Sequence, residues 1–340
     1  AGWGRPPSFA DMVRLLLILL CVPTVACASA QPRGAKPGVA RIGQKIASAY
    51  ARTRGSKAVP PGPLADATRA LGSAPLAATY LEVNCWLLSL GGVTVLVDPL
   101  LEGSLDFGLP DGVYSASKRV LPKRGLVGDL PPLDVILITQ GLDDHAHNPT
   151  LAALAAVGCT APIYAPPSAR DTVLKHFDES QVTFMSPGAS TVVRAGKGSA
   201  MQIRATSGAL VGPPWQAREN GYVLRDASTG FSVYYEPHVE FNSAELAALA
   251  PVDVVITPVE GQGLPPFSLV HDSATAANLV KVLRPRWVLP MANGAVDATG
   301  LTAPLVQTLG SPDEFERLIS EASLETTVAE VRPGQPTLIQ

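Results

Sequence analysis

The chain has few of the residues that would tie together a small disulfide-rich protein or bind nucleic acid. Only four of its 340 residues are cysteines, and of these only Cys85 and Cys159 lie outside the first 30 positions. Two cysteines so far apart argue against a disulfide framework. The first 80 residues carry a net charge of +8, which leaves −11 on the rest of a chain whose total is −3. An acidic body without a basic stripe argues against a nucleic-acid partner, because phosphates are bound by clustered Lys and Arg.

Long apolar runs are scarce as well. The run near the start, Leu15 to Cys21, is too short to span a membrane. It lies between Met12-Val-Arg and the small residues Ala26 to Ala30, so residues 12–30 have the three-part form of a secretory signal. We expect no membrane partner for the mature domain.

The segment that follows is poor in acids and rich in Arg, Lys, Ala, Ser and Gly, a composition typical of transit peptides. We therefore expect residues 1–77 to be a leader, signal-like over 12–30 and transit-peptide-like over 31–77, that directs the protein to a plastid. The alternative is a signal peptide and a basic linker on a secreted protein. Either way, residues 78–340 form the folded domain.

In that domain, apolar runs alternate with segments of helical period, which predicts a layered α/β fold. The predicted strands are 81–89, 93–98, 133–139, 161–165, 181–185, 199–206, 220–226, 230–236, 252–257, 286–290 and 326–331. The predicted helices are 149–157, 167–176, 242–249, 272–284, 299–309 and 312–323. Ser311 followed by proline and two acids is a well-formed helix start.

Histidine is scarce too, with five in the chain, yet two of them lie in one short loop. An apolar strand, Val135 to Thr139, runs into Asp143, Asp144, His145 and His147, and the helix-like segment TLAALAAV follows. Acids and imidazoles at the end of a strand indicate a functional site, because loops held by a rigid sheet are where binding residues collect.

The stretch ILITQGLDDHAHNPTL resembles the metallo-β-lactamase superfamily, whose signature is a strand, then T-H-x-H-x-D-H, then a helix. On that pattern Gln140 and Leu142 stand where the first two histidines belong, and Asp144 and His145 match the D-H pair. In two-metal members the first histidines hold one metal and the D-H pair helps to hold the second. Leucine cannot bind a metal and a glutamine amide is a poor zinc ligand, so the resemblance implies that the first metal site is absent.

Further strings extend the resemblance over about residues 78–340. Residues 81–101 resemble the opening hairpin, and Asp98 stands at the end of its second strand. SVYYEPH falls where the family has a strand ending in G-D-T, and RWVLPMANG where it has P-x-H-x-G, with Ala292 or Asn293 in place of the last histidine. TQ-x-L-D-D-H, GPPWQ-x-x-ENGY and YYEPH also occur in a plant and algal plastid group. The implied fold is a four-layer α/β/β/α sandwich with the site at one edge.

The candidate metal ligands are Asp144, His145 and His238, with weaker claims for His147, Glu236 and His271. Asp144 and Asp98 are the candidate proton acceptors in catalysis. For each of these residues the alternative is a structural side chain whose hydrogen bonds satisfy a loop.

We therefore expect a hydrolase-like protein that binds at most one metal and acts on an ester, a lactone or a phosphoester. The rival hypothesis is a non-catalytic member of the same fold that serves as a binding or scaffold module. A site with one zinc ion and a metal-free site both remain open, as do a small-molecule substrate and a protein partner.

Overall fold

The computed structural model describes residues 74–210, 216–264 and 267–340, together with Leu64. The signal-like segment therefore lies outside the described residues, and so do nearly all of the transit-peptide-like segment and residues 212–215 of the GPPWQ string. The first strand begins at Leu76, two residues before the expected domain boundary. Leu64, although in the predicted leader, is buried in one of the hydrophobic clusters of the domain.

The elements alternate along the chain much as the apolar pattern predicts. The strands are β1 Leu76–Tyr80, β2 Trp86–Leu90, β3 Val93–Val97, β4 Ser115–Ser117, β5 Val135–Leu137, β6 Ile163–Ala165, β7 Val182–Phe184, β8 Ser190–Arg194, β9 Ala200–Ser207, β10 Asn220–Asp226, β11 Ser232–Tyr235, β12 Val254–Pro258, β13 Gly261–Leu264, β14 Phe267–Val270, β15 Trp287–Met291, β16 Asp297–Thr299, β17 Gln307–Leu309, β18 Thr327–Val328 and β19 Pro336–Ile339. The α-helices are α1 Asn148–Ala156, α2 Arg170–Val173, α3 Ser243–Ala247, α4 Ser273–Leu283 and α5 Pro312–Glu321.

Two seven-stranded sheets form the centre of the fold. Their strand orders are β19-β1-β2-β3-β5-β6-β7 and β18-β15-β12-β11-β10-β9-β8. In each sheet an antiparallel part continues into parallel strands: β3, β5, β6 and β7 in the first, and β11, β12, β15 and β18 in the second. The two sheets thus resemble each other in construction, and each brings the carboxyl ends of several parallel strands to one edge.

Three hydrophobic layers hold the sheets and helices together. Apolar side chains from the inner faces of both sheets form one cluster, which includes Leu88, Val95 and Val233. The outer face of the first sheet packs against α1 and α2, and the outer face of the second against α3, α4 and α5. The order is helix, sheet, sheet, helix, which confirms the predicted four-layer sandwich. No helix in the described part of the chain is long and apolar enough to cross a membrane.

Side-chain oxygens cap the starts of helices α4 and α5. Ser311 accepts a hydrogen bond from the backbone N–H of Glu314 at the start of α5, and Asp272 accepts one from Thr275 at the start of α4. These oxygens satisfy N–H groups that have no partner inside the helix. Helix α4 ends at Arg284, whose φ of 46° is left-handed.

Several predicted elements were wrong. The helix predicted over 299–309 is replaced by the end of β16, a short 3-10 turn at Ala303–Leu305 and β17. Gly300 adopts a φ of 104°, which stops a helix there, and the N–H of Thr302 bonds to Val113 instead. The strand predicted over 81–89 begins only at Trp86, because residues 81–85 form a tight loop. The predicted strands also omit β1, β4, β8, β13, β14, β16 and β19.

Two neighbouring valines on β8 test how much the inter-sheet cluster contributes. Val193 is buried in that cluster, whereas Val192 points outward and is 52% exposed. We expect Val193→Ala to lower the free energy of unfolding by about 2 kcal/mol, because buried methyl groups are lost and a cavity is left. Val192→Ala should change it by less than about 0.5 kcal/mol. Urea denaturation measures both, and equal effects would contradict the assigned burial.

Candidate metal centre

The candidate site lies where strand ends from the two sheets meet. Asp98 directly follows β3, and the loop with Asp144 and His145 follows its parallel neighbour β5. In the second sheet, β11 is followed by Glu236, Pro237 and His238. Because parallel strands end on the same side and the sheets are packed face to face, these loops face one another.

Asp144, His145 and His238 come together at this edge, each with a ligand atom within 4.8 Å of the others. The Nε2 atom of His145 lies 3.1 Å from Nε2 of His238 and 3.2 Å from Oδ2 of Asp144. His145 is fully buried, whereas the other two side chains are partly exposed. The three residues therefore form one centre that solvent reaches from the Asp144 and His238 side.

His145 is oriented by Asp98, which lies behind it. Its Nδ1 is 2.9 Å from Oδ2 of Asp98. The carboxylate also accepts hydrogen bonds from the backbone N–H and the hydroxyl of Thr139, both at 2.7 Å, and a shared one from the hydroxyl of Tyr235 at 3.0 Å. An ionised carboxylate only accepts, so Nδ1 carries the proton and the lone pair of Nε2 points into the centre.

His238 is oriented in the same way by a backbone carbonyl. Its Nδ1 lies 2.7 Å from the oxygen of Leu269 and donates to it, so Nε2 again presents a lone pair. The turn that carries it is supported by Asn293, whose Nδ2 donates to the oxygen of Pro237 at 3.0 Å. Asn293 is one of the two residues, with Ala292, where the resemblance places the last histidine of the family, and it contacts the centre only through this turn.

Two imidazole lone pairs and a carboxylate oxygen thus meet around one point, where a cation or a proton stabilises them. Burial lowers the pKa of His145, but Asp144 and Asp98 outweigh it and raise that pKa to about 10. Burial and the neighbouring His145 lower the pKa of His238 to about 4. Although burial opposes ionisation of Asp144, His145 holds the pKa of this carboxyl below its usual range. Without a metal ion, the proton of His145 therefore takes the cation's place.

The donor set fits a zinc ion. Two imidazole nitrogens and one carboxylate oxygen are the ligands typical of catalytic zinc sites, which keep a further position open. Ligands about 2.0–2.2 Å from a tetrahedral ion lie about 3.3–3.5 Å from each other, close to the 3.1 and 3.2 Å observed. Oδ1 of Asp144 is buried and has no hydrogen-bond partner.

The three weaker candidates lie outside this group of ligand atoms. His147 is buried next to α1, where Nδ1 is 2.9 Å from the hydroxyl of Thr150 and Nε2 is 3.3 Å from the oxygen of Ser104. His271 is partly exposed, 4.0 Å from Glu240. Glu236 accepts hydrogen bonds from the N–H groups of His238 and Glu240, and burial raises its pKa to about 8. Its second oxygen has no hydrogen-bond partner and is buried next to the centre.

The positions aligned with the first metal's ligands are occupied by polar but uncharged side chains or by apolar ones. Both terminal atoms of Gln140 are buried without a hydrogen-bond partner, and so is the hydroxyl of Thr206. Leu142 is partly buried. None of these side chains carries an imidazole or a carboxylate.

The loop that carries Asp144 and His145 is anchored where it leaves β5. The N–H of Gly141 donates to the hydroxyl of Ser168 at 3.1 Å, and this hydroxyl donates to Oε2 of Glu219 at 2.6 Å. A side chain on Gly141 would meet the backbone of Ser168 at 2.4 Å, so only glycine allows this approach. Burial raises the pKa of Glu219 to about 7, although its bond from Ser168 opposes the shift.

Three residues of the centre were missed by sequence reasoning: Asn84, Thr139 and Tyr235. Nδ2 of Asn84 lies 3.1 Å from Oδ2 of Asp144 and 3.3 Å from Nε2 of His145. One signal was available, since Asn84 is a polar residue in the apolar run before β2. Thr139 and Tyr235 both lie inside strings that were noted for other reasons, TQGLDDH and SVYYEPH.

Comparison with known proteins assigns the family. The sequence profile of the beta-lactamase superfamily domain matches residues 77–292, more than half of the chain. The chain therefore belongs to the metallo-β-lactamase superfamily. A search of curated protein sequences found no significant match.

Solved structures share the fold at low sequence identity. Igni18, a metallo hydrolase from the archaeon Ignicoccus hospitalis, is 18% identical with a TM-score of 0.51, over 78% of this chain and 98% of its own. An isothiocyanate hydrolase from Delia radicum gut bacteria is 15% identical with a TM-score of 0.52, over 78% and 99%. CmlA, a diiron β-hydroxylase from Streptomyces venezuelae, is 17% identical with a TM-score of 0.52, over 78% and 54%.

The Glu219 anchor predicts a dependence of stability on pH. Because the pKa of Glu219 is raised to about 7 from a usual 4.5, the folded state keeps a proton that the unfolded state releases. The stability that protonated Glu219 contributes is fully present below pH 4.5 and is lost as pH rises through about 7. Glu219→Gln keeps an oxygen for Ser168 and does not titrate. The difference in unfolding free energy between Glu219→Gln and wild type should therefore shift in favour of the variant, by up to about 3 kcal/mol, as pH rises from 4.5 to 8.

Urea denaturation of both proteins across this pH range measures the difference. Parallel curves for wild type and Glu219→Gln would contradict the raised pKa.

Proposed function

We propose that the protein is a hydrolase that uses one metal ion, held by Asp144, His145 and His238, to act on a small ester, lactone or phosphoester. The main support is the convergence of Asp144 Oδ2 with Nε2 of His145 and Nε2 of His238, whose opposite ring nitrogens are already fixed by Asp98 and Leu269. No described donor other than Asn84 faces these atoms. The names of two fold neighbours, a metallo hydrolase and an isothiocyanate hydrolase, are consistent with this class.

When bound, a zinc ion supplies Lewis-acid polarisation of a substrate oxygen and makes water more acidic. The two carboxylate oxygens of Asp144 then have different roles. Oδ2 faces the ligand nitrogens, whereas Oδ1 has no hydrogen-bond partner and is placed to accept a proton from attacking water. Water adds across the C–O or P–O bond, and the alcohol leaves with a proton.

Asp98 takes a different role from the proton acceptor that the sequence indicated. Its oxygens are fully buried and are occupied by donors from Thr139, Tyr235 and His145. It does not reach the open side of the centre. We assign it as a positioning residue, which fixes the tautomer and the ring orientation of His145.

A non-catalytic role in binding or as a scaffold is the second candidate. One observation favours it: a proton on His145 by itself stabilises the cluster, since both Asp144 and Asp98 raise the pKa of that ring. The fold and the side-chain positions would then be kept without metal. Metal loading separates the two candidates.

The first test is metal content. The purified full chain, loaded with zinc and then desalted, should keep about one ion, because three nitrogen and oxygen ligands converge. Asp144→Ala and His238→Ala should lose it, along with any activity on a panel of lactones, esters and phosphodiesters. Zinc at about 100 times its Kd should stabilise the wild type by about 2.7 kcal/mol. Elemental analysis and thermal unfolding give the two readouts.

His271→Ala is the matched control, because this histidine lies on the same side of the fold but outside the group of ligand atoms. It should keep its zinc. Loading with iron(II) in parallel identifies the metal, since two histidines and a carboxylate also hold mononuclear iron. A wild-type chain that retains neither metal supports the scaffold role and contradicts the hydrolase.

The second test concerns Asp98. Asp98→Asn preserves the shape of the side chain but no longer forces the proton of His145 onto Nδ1. We expect zinc affinity to fall about 10- to 100-fold, as is typical when a partner behind a metal ligand is lost. Competition with a chelating dye measures the affinity, and circular dichroism checks the fold. Unchanged affinity in a folded variant would show that Asp98 does not position the ligand.

A further inference from the structure

A fourth side chain faces the point where the three lone pairs meet. Nδ2 of Asn84 lies 3.1 Å from Oδ2 of Asp144, 3.3 Å from the backbone oxygen of Asp144 and 3.3 Å from Nε2 of His145. The side chain is only 1% exposed. Its other terminal atom, Oδ1, is buried without a hydrogen-bond partner.

The loop that carries Asn84 is held in a strained shape. Glu82 and Val83 have φ values of 70° and 56°, in the left-handed region that a β-branched residue rarely adopts. The carboxylate of Glu82 accepts hydrogen bonds from the N–H groups of Arg119, Val120 and Leu121. Strain of this kind persists where the surroundings fix the backbone, and it occurs mostly at functional sites.

Two tyrosines complete the support from either side. The hydroxyl of Tyr80 donates to the backbone oxygen of Val83 at 3.0 Å, and that of Tyr235 donates to the oxygen of Asn84 at 2.6 Å. Tyr235 also contacts Asp98, so the same residue links the Asn84 loop to the carboxylate behind His145. The position of Asn84 is therefore fixed relative to the two ligands on its side of the centre.

The contacts around this point are about as long as those between neighbouring ligands of one ion. Four contacts link the terminal atoms of Asn84, Asp144, His145 and His238, and they span 3.1 to 3.3 Å. Neighbouring ligands of a tetrahedral zinc ion are about 3.3–3.5 Å apart. Asn84 thus lies beside Asp144 and His145 at the distance of a further ligand rather than behind one of them.

Rotation of the amide by 180° exchanges its nitrogen and oxygen with little change in shape. With nitrogen inward, three acceptors compete for two N–H groups while Oδ1 has no donor. With oxygen inward, a fourth lone pair joins the centre, an arrangement that is favourable only around a cation. We propose that Asn84 is the fourth protein ligand of the metal ion, bound through Oδ1, an inference that rests on the proposed one-metal site. An amide oxygen is a weaker zinc ligand than an imidazole or a carboxylate, so Asn84 supplements Asp144, His145 and His238 and could not replace one of them. A substrate oxygen then enters as a fifth ligand, as zinc sites permit.

The experiment compares zinc affinity across variants of the full chain, by competition with a chelating dye. Asn84→Leu has a similar volume and no ligand atom, so its affinity should fall at least about 10-fold. Asn84→Asp keeps an oxygen at that position and should bind zinc at least as tightly as wild type. Thermal unfolding without metal shows whether each variant folds.

Asn220→Leu is the matched control. Asn220 is also buried, and its Oδ1 likewise has no hydrogen-bond partner, but its Nδ2 donates to Met185 and Tyr222 rather than to the centre. It should lose stability and keep its zinc affinity. A greater loss of affinity in Asn220→Leu than in Asn84→Leu would overturn the proposal.

A crystal structure of the zinc-loaded wild type decides the matter without relying on a variant. The terminal oxygen of Asn84 should lie about 2.0–2.2 Å from the ion. An amide atom beyond about 3 Å, with Asp144, His145 and His238 still bound, would overturn the assignment of Asn84 and leave the three-ligand site intact. A wild type that binds no metal would overturn both.

Discussion

A single buried carboxylate links the parts of this molecule that form the site. Asp98, at the end of β3, accepts hydrogen bonds from Thr139 after β5, from Tyr235 on the opposite sheet and from His145. A buried carboxylate is costly unless it is met by donors, so these contacts constrain one another. The two sheets and the His145 loop must fit around Asp98 together, and this fixes the direction in which His145 presents its lone pair.

Around that carboxylate the molecule keeps polar groups that packing does not satisfy. Most of the buried polar side-chain atoms without a hydrogen-bond partner in the described residues belong to this edge: Asn84, Gln140, Asp144, Thr206, Asn220, Tyr234 and Glu236. An unmatched buried polar group costs about 1–3 kcal/mol. A concentration of polar atoms at one edge of the fold is typical of a functional site rather than of a packed core. Burial of apolar side chains in the three hydrophobic layers offsets this cost.

The centre differs from a two-metal site in how its ligands are supplied. Asp144 and His145 come from the loop after β5, as the resemblance indicated. The next imidazole comes from His238, in the turn after β11. Asn293, one of the two residues with Ala292 at the position of the family's last histidine, supports that turn through Pro237 instead of reaching the centre. Gln140 and Leu142, which align with the first two histidines of the motif, carry no charge.

The sequence by itself determined the layered α/β architecture and the placement of the polar loops at strand ends. Apolar alternation and helix caps such as Ser311 are local signals, and local signals fix element type. The resemblance to the superfamily motif, together with the position of acids and imidazoles after apolar strands, also singled out Asp144, His145 and His238. The sequence could not separate these three from His147, which is two positions from His145 but whose ring faces α1. Nor could it show that Asp98 lies behind the ring of His145.

Those distinctions depend on which side chain faces which lone pair, and only the packing of one sheet on the other decides that. Asn84 shows this most clearly. Residues 81–85 have the composition of a strand, and only the clamp formed by Tyr80, Tyr235 and the N–H groups that bind Glu82 turns them into a loop that carries an amide to the centre. Contacts between residues 151 positions apart, such as that of Tyr235 with Asn84, leave no periodic trace in the sequence.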